Sequence, residues 1–157
     1  ISGMGPKKNQ QKDIVKMVIL ILHGPNMNLI GLRSVKAGTQ VTLDKINRAV
    51  RKQVRNEEIT LKILQTHDEA KAVTFLQRNR NSADGLIISP EAWHIGAYTL
   101  ADTLSLVEIP YITVSFARQE KNLFRGIHSV VNPDSIAGYV EALKKMKTYI
   151  KARNSKK

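Results

Sequence analysis

Apolar positions recur along this chain in two alternating periods. Met17 to Leu22 is an unbroken apolar run of strand length, the pattern of a strand buried on both faces of a parallel sheet. Thr42 then stands where a helix N-cap is expected. Leu43, Ile46, Val50 and Val54 fall on one stripe of a helix from Leu43 to Arg55, with Lys45, Arg48, Arg51, Lys52 and Arg55 on its other face. Ile59 to Leu64 predicts a second strand. Asp68 to Asn79 predicts a second helix with Ala72, Val73 and Leu76 inward, and Gly85 to Ile88 a third strand. The beat continues with a helix over Ala97 to Leu106, a strand over Tyr111 to Ser115, a short strand near Val130 and a last helix from Ser135 to Lys151. Each strand and helix unit has the length of a parallel crossover. The predicted fold is therefore α/β, a doubly wound sheet of about five parallel strands in a three-layer α/β/α arrangement. Such sheets take their ligands beyond the carboxyl ends of the strands. Three polar segments fall at those ends: HGPNMNLIGLR (His23 to Arg33), SPEAWH (Ser89 to His94) and SFARQEKNLFR (Ser115 to Arg125).

A chain of 157 residues, 42% hydrophobic, suits one domain with a single core. Residues 1–16 are polar and aperiodic and read as a flexible basic N-terminal extension, residues 17–151 as the domain, and residues 152–157 as a basic tail. The first residue is Ile rather than an initiator Met, and no apolar signal core follows it, so the start reads as a processed or incomplete end. Its lysines, with no acid before Asp13, fit the remnant of an organellar import region or an ordinary solvated tail. No apolar run approaches the roughly 18 residues of a membrane span. With no cysteine there is neither a disulfide framework nor a thiolate nucleophile, and His23, His67, His94 and His128 lack zinc-site spacing, so no metal is expected.

Charge changes the picture more than composition does. The formal charge is +12, from 25 Lys and Arg against 13 Asp and Glu, which favours a polyanionic partner. Lys45, Arg48, Lys52 and Arg55 form a ridge with Arg51 alongside. Arg78 and Arg80 end the second helix, and Lys144, Lys145, Lys147, Lys151 and Arg153 stripe the last one. The bland alternative is a set of solvated helix faces. Aromatic content of 5% and the absence of an RRM, KH or zinc-finger pattern point to backbone contact with structured RNA rather than base reading.

In HGPNMNLIGLR, Gly24 and Gly31 allow turns, Pro25 stiffens the strand exit, the Asn side chains can hold a water or a hydroxyl, and Arg33 can bind a carboxylate. A turn capped by its own Asn residues is the structural alternative. The segment resembles the first signature of the type II dehydroquinases, in which Asn or His followed by Gly-Pro-Asn-Leu-Asn leads through Leu-Gly to an Arg. ADGLIISP, ADTL, IPYITV and FRGIHS follow in family order, so the resemblance runs from about Met17 to Leu143. It implies a flavodoxin-like fold and trimers that assemble into dodecamers. It also implies cofactor-free dehydration of 3-dehydroquinate, by removal of a proton from carbon 2 and acid-assisted loss of the carbon 1 hydroxyl. On this resemblance Asn26 holds a water at the enolate, Arg33 lowers the pKa of a Tyr base, Asp102 reaches a neighbouring subunit's site and Arg125 binds substrate.

The proton-transfer positions depart from that pattern. The Tyr base position falls on Gly38, and the acid His position on Ile95, with His94 one place early as a substitute acid. One residue on a helical start is a rotation of about 100°, so His94 is expected to face elsewhere. The family's Asn and Gly are replaced by Ser89 and Glu91. Its strand Glu and His, followed by Ser and Asn, are replaced by Thr113, Ser115, Ala117 and Arg118. Catalytic groups that act as a unit fail together. The expectation is therefore a catalytically inactive, dehydroquinase-like protein serving as an RNA-contacting or structural subunit of a larger ribonucleoprotein assembly, an organellar ribosome being the assembly named; the expected compartment is organellar (mitochondrial), otherwise cytoplasmic. Its ligand would be RNA through Lys45, Arg48, Arg51, Lys52, Arg55, Lys144, Lys145, Lys147, Lys151 and Arg153, with protein partners, no membrane span and no cofactor. The alternative is an active 3-dehydroquinate dehydratase with a rearranged site. A weaker third reading is a sensor that binds a small acid in the anion pocket.

Overall fold

The chain is described by a computed structural model over residues 16–36, 38 and 40–156. The predicted N-terminal extension therefore lies, apart from Lys16, outside the described residues. Five strands, β1 (Met17–His23), β2 (Ile59–Gln65), β3 (Gly85–Ser89), β4 (Tyr111–Ser115) and β5 (His128–Val131), form one parallel sheet in the order β2-β1-β3-β4-β5. This is the flavodoxin-like winding, whose order reverses between β1 and β3 and opens a crevice at their carboxyl ends. The helices are α1 (Ile30–Lys36), α2 (Leu43–Gln53), α3 (Glu69–Asn79), α4 (Tyr98–Val107) and α5 (Ser135–Asn154).

Alternation along the buried strands divides the core in two. Ile19, Ile21, Ile87, Ile112 and Val114 face α2 and α5, where they meet Ile46, Val50, Leu143 and Met146. Leu20, Leu22, Leu86 and Ile88 face the other way, onto Ala72 and Leu76 of α3 and Leu100 and Leu104 of α4. The expected caps are present. Thr42 Oγ1 accepts from the Lys45 N–H at 3.3 Å, Asp68 Oδ1 from the Ala70 N–H at 2.9 Å, and Asp134 Oδ1 from the Ala137 N–H at 3.1 Å. Asp68 thus caps α3 instead of opening it, and α5 runs on to Asn154, past the expected end at Lys151.

HGPNMNLIGLR is mostly not a loop. After Pro25 the chain turns at Asn26, which adopts a left-handed φ of 64°, passes through a 3-10 turn at Met27–Leu29 and enters α1. Met27 and Ile30 explain the difference, because both are buried in the core and draw the segment down onto the sheet. Gly31 is consequently helical. Ser34 then fastens the far end, its hydroxyl accepting from the Val41 N–H at 3.0 Å and lying 2.9 Å from the Gly31 carbonyl.

A line of buried hydrogen bonds ties the carboxyl ends of β1 and β3 to α2 and α5. His23, the last residue of β1, has Nε2 2.8 Å from Asn47 Oδ1 and Nδ1 2.7 Å from the Tyr139 hydroxyl. The amide oxygen only accepts, so Nε2 carries the proton and Nδ1 accepts from Tyr139. The Tyr139 oxygen in turn accepts from Ser89 Oγ at the end of β3. Burial lowers the His23 pKa from 6.5 to about 4, the bond to Asn47 opposing it, and burial pushes the Tyr139 hydroxyl well above its ordinary value. Beside this line Gly24 donates its N–H to the Ser89 carbonyl at 2.9 Å. A Cβ on Gly24 would sit 2.4 Å from that same oxygen and 2.9 Å from the Pro90 carbonyl, so only glycine lets the two strand exits meet.

Three outcomes follow for stability. Replacing Tyr139 by Phe strands His23 Nδ1 and the Ser89 hydroxyl in the core and should cost roughly 1–3 kcal/mol in denaturant unfolding. Gly24→Ala, forced against backbone that cannot move independently, should cost roughly 1–3 kcal/mol. For His23 the unfolded chain takes up the proton first on acidification, because the folded pKa is the lower one. Its stabilisation is therefore complete above about pH 6.5 and is lost as the pH falls toward 4, a swing of roughly 3 kcal/mol that His23→Asn should flatten.

Candidate active site

The crevice at the strand ends is a cleft of about 700 Å³, walled by α1, by the residues after β4 and by the start of α5. Ile30 and Arg33 of α1 form one side, Phe116 and Gln119 the next, and Asp134 and Ser135 the third, with Glu91 on the wall as well. Phe116 stacks on Tyr139, ring centroids 6.5 Å apart, so the buried line of hydrogen bonds reaches the cleft wall through an aromatic contact.

Arg33 and Glu91 make the polar centre of this cleft. Arg33 Nη1 lies 2.9 Å from Glu91 Oε2, and the two side chains are 60% and 12% exposed respectively. The guanidinium thus keeps a solvent-facing side that can take an anion, while the carboxylate is largely enclosed. Glu91 occupies the place where the resemblance has a Gly, and it keeps a left-handed backbone with φ 49°. Its charge also helps raise the pKa of Tyr139, after burial itself.

The remaining predicted site residues scatter. Asn26 sits on the strand exit, its N–H donating to His67 Nδ1 at 3.1 Å. Asp102 is exposed on α4, and Arg125 is exposed in the segment before β5; neither lines the cleft. Gly38, at the Tyr base position, is an exposed turn residue with φ 79° and open space where a Cβ would be. Ile95, at the acid His position, is 67% exposed, whereas His94 is 4% exposed.

His94 therefore lies on the opposite side of its 3-10 turn (Glu91–Ile95) from the neighbour that marks the family position. It borders an adjoining side cavity of about 190 Å³, which shares Gln119 with the cleft, together with Thr113, Ser115, Arg118 and Ser129, and packs edge-on against Phe124 at 5.3 Å. Neither ring nitrogen has a hydrogen-bond partner among the described residues. Burial lowers its pKa, which favours the neutral imidazole and works against the role of substitute acid. Thr113 and Ser115 border this same side cavity, so the two strand positions that lost Glu and His face it rather than the cleft. Among the described residues no group of three or more His, Asp or Glu is placed to hold a metal ion.

Two functional candidates escaped the reading by sequence. Glu91 appeared there only as a departure from Gly, and the signal that could have raised it was a carboxylate placed at a strand exit facing Arg33. His67 follows β2 at its carboxyl end and stands beside Asn26, a position that strand order alone could have flagged.

Comparison with known proteins now bears on the alternatives. The sequence pattern of the family described as Dehydroquinase class II matches residues 17–154. A 3-dehydroquinate dehydratase of Roseiflexus castenholzii is 34% identical over 125 residues, covering 78% of this chain and 80% of that protein. One of Pelotomaculum thermopropionicum is 31% identical over 137 residues, covering 82% and 94%. The crystal structure of type II dehydroquinase from Butyrivibrio crossotus superposes with a TM-score of 0.74 at 22% identity, covering 84% of this chain and 98% of that one, a likeness of fold.

These relatives overturn the expectation of an inactive, RNA-contacting ribosomal or mitochondrial subunit and favour its enzyme alternative. The physical reason lies in how the cations are placed. Arg48 pairs with Asp44 at 2.8 Å, Lys45 Nζ donates to the Gln40 carbonyl at 2.6 Å, Lys147 meets Glu57 at 2.8 Å and Lys145 meets Glu141 at 3.5 Å. Arg51, Lys52, Lys144, Lys151 and Arg153 are exposed on the same helices and Arg55 in the turn after α2, which ends at Gln53 rather than Arg55; these are solvated surfaces and need no polyanion to account for them. Among the described residues no helix is long and apolar enough to cross a membrane. With its sequence pattern matched over nearly the whole domain, its relatives similar across most of their length and its sheet wound in the same order, the chain belongs to the class II dehydroquinase family.

Proposed function

We propose that the protein is a 3-dehydroquinate dehydratase with a rearranged catalytic site. The observation that carries this reading is the cleft itself: it opens at the β1/β3 switch point, in a chain whose relatives bear that name, and presents Arg33 with a free face to an incoming carboxylate. The reaction needs three things from such a cleft. A proton next to a ketone must be taken, the resulting enolate must be held, and a hydroxyl must depart from the neighbouring carbon. Arg33 suits the anionic parts of this path, as a rigid donor fork beside developing negative charge.

Self-association of the kind the resemblance implies draws support from apolar surface. Leu32, Val35, Ile95 and Tyr98 are between 63% and 69% exposed, and Leu32 and Val35 belong to the helix that flanks the cleft. Sedimentation should accordingly give a mass that is a multiple of three chains, and a monomer at micromolar concentration would count against this.

The purified protein should convert 3-dehydroquinate to a conjugated enone, read as rising ultraviolet absorbance. Arg33→Ala should lower kcat/KM roughly 10- to 100-fold, the loss expected for one charge-assisted contact to an anion. No enone above the protein-free rate would refute the dehydratase reading.

A further inference from the structure

The cleft poses a chemical question that its family does not answer. Position 38, where the resemblance has the Tyr base, is a glycine pointing nothing into the cleft, and His94 borders the side cavity instead. Some other group must accept the proton. Among the described residues three titratable side chains line the cleft: Arg33, Glu91 and Asp134. Arg33 cannot serve, because its guanidinium does not give up its charge. Asp134 is solvent-exposed, and its fixed oxygen, Oδ1, is held by the Ala137 N–H of α5 at 3.1 Å rather than by a cation of the cleft. Glu91 is left.

Its setting fits the task. The carboxylate is largely enclosed, at 12% exposure, yet on the cleft wall, and one oxygen, Oε2, is fixed by Arg33 at 2.9 Å. That contact leaves Oε1 available and aims the group, while the same guanidinium stands where an enolate would gather charge. The backbone adds an independent observation. Glu91 adopts φ 49°, a left-handed conformation that side chains rarely take and that glycine takes freely. A glutamate held there carries strain that a glycine would not, and the feature it adds in exchange is a carboxylate in the cleft.

We infer that Glu91 is the general base of this protein, held by Arg33 in the cleft and replacing the tyrosine that position 38 lacks. The inference rests on the dehydratase reading above. In the step, the Glu91 carboxylate takes the proton from the carbon next to the ketone; the C–H pair becomes the enolate double bond and the ketone oxygen takes the negative charge. The enolate then collapses, its pair forming the new carbon–carbon double bond as the C–O bond of the neighbouring hydroxyl breaks. The departing hydroxide takes a proton from water in the open cleft, and Glu91 returns its proton to the hydroxide so formed. The products are the enone and one water, and the carboxylate is restored.

The test compares wild type, Glu91→Gly and Glu91→Gln with 3-dehydroquinate, with and without sodium formate. Glycine suits φ 49° and glutamine keeps the side-chain volume, so both variants should match or exceed the wild-type Tm. Both should lose about 100- to 10,000-fold in kcat, the range for a general base. Formate should restore turnover to Glu91→Gly in proportion to its concentration and leave Glu91→Gln unaffected, a response that a merely structural role would not produce. If the wild type turns over and the variants stay within a few fold of it, Glu91 is not the base although the dehydratase reading stands. Loss in both variants with no rescue by formate would make Glu91 a positioning residue for Arg33 and overturn its role as base. A wild type without turnover overturns the dehydratase reading and the base with it.

Discussion

The structure depends on the buried line of hydrogen bonds that runs from Asn47 through His23 and Tyr139 to Ser89. It joins the last residues of two adjacent strands to helices on one side of the sheet, in a place where each polar atom must find a partner or cost free energy. Because Asn47 settles the imidazole tautomer, the direction of each bond along the line follows. Gly24 and Ser89 can then meet backbone to backbone, and the two strand exits are held at one separation. Everything at the mouth of the crevice is referred to that point.

From it the cleft follows in two steps. Asn26 turns the chain in a left-handed conformation, Met27 and Ile30 anchor it to the core, and α1 delivers Arg33 to the rim. Across the crevice Pro90 leads into a second left-handed residue, Glu91, whose carboxylate is carried back to Arg33. Both left-handed residues follow a strand end, Asn26 after β1 and Glu91 after β3. Tyr139 connects this arrangement to the far wall through Phe116. A cleft built this way is organised before any ligand arrives, which is what electrostatic stabilisation of an enolate needs.

Much of this was legible in the sequence, for reasons that differ by element. The apolar runs Met17–Leu22 and Leu86–Ile88 identify β1 and β3, since strands covered on both faces favour apolar residues, and Thr42 marks the start of α2 by its hydroxyl. The segment from Met27 to Lys36 was hidden, because two glycines and two asparagines read as turn chemistry while the decisive term was burial of Met27 and Ile30. The charge was misleading for a related reason. Cations counted by residue type look like a phosphate surface, whereas Asp44 and Gln40 beside those of α2, and Glu57 and Glu141 beside those of α5, make an ordinary solvated exterior. Loss of the tyrosine and histidine was visible directly. That Glu91 faces Arg33 was not, since their meeting depends on a left-handed φ and on two strand exits far apart in the chain.

The proposed dehydration requires that this cleft take a proton from carbon 2 although position 38 is Gly and position 95 is Ile. It is tested most directly by following the hydrogens on carbon 2 of 3-dehydroquinate by proton NMR in D2O with the protein present. One of the two signals should be lost to deuterium, or pass into product, at a rate proportional to protein concentration. Both signals persisting at the protein-free rate would contradict it.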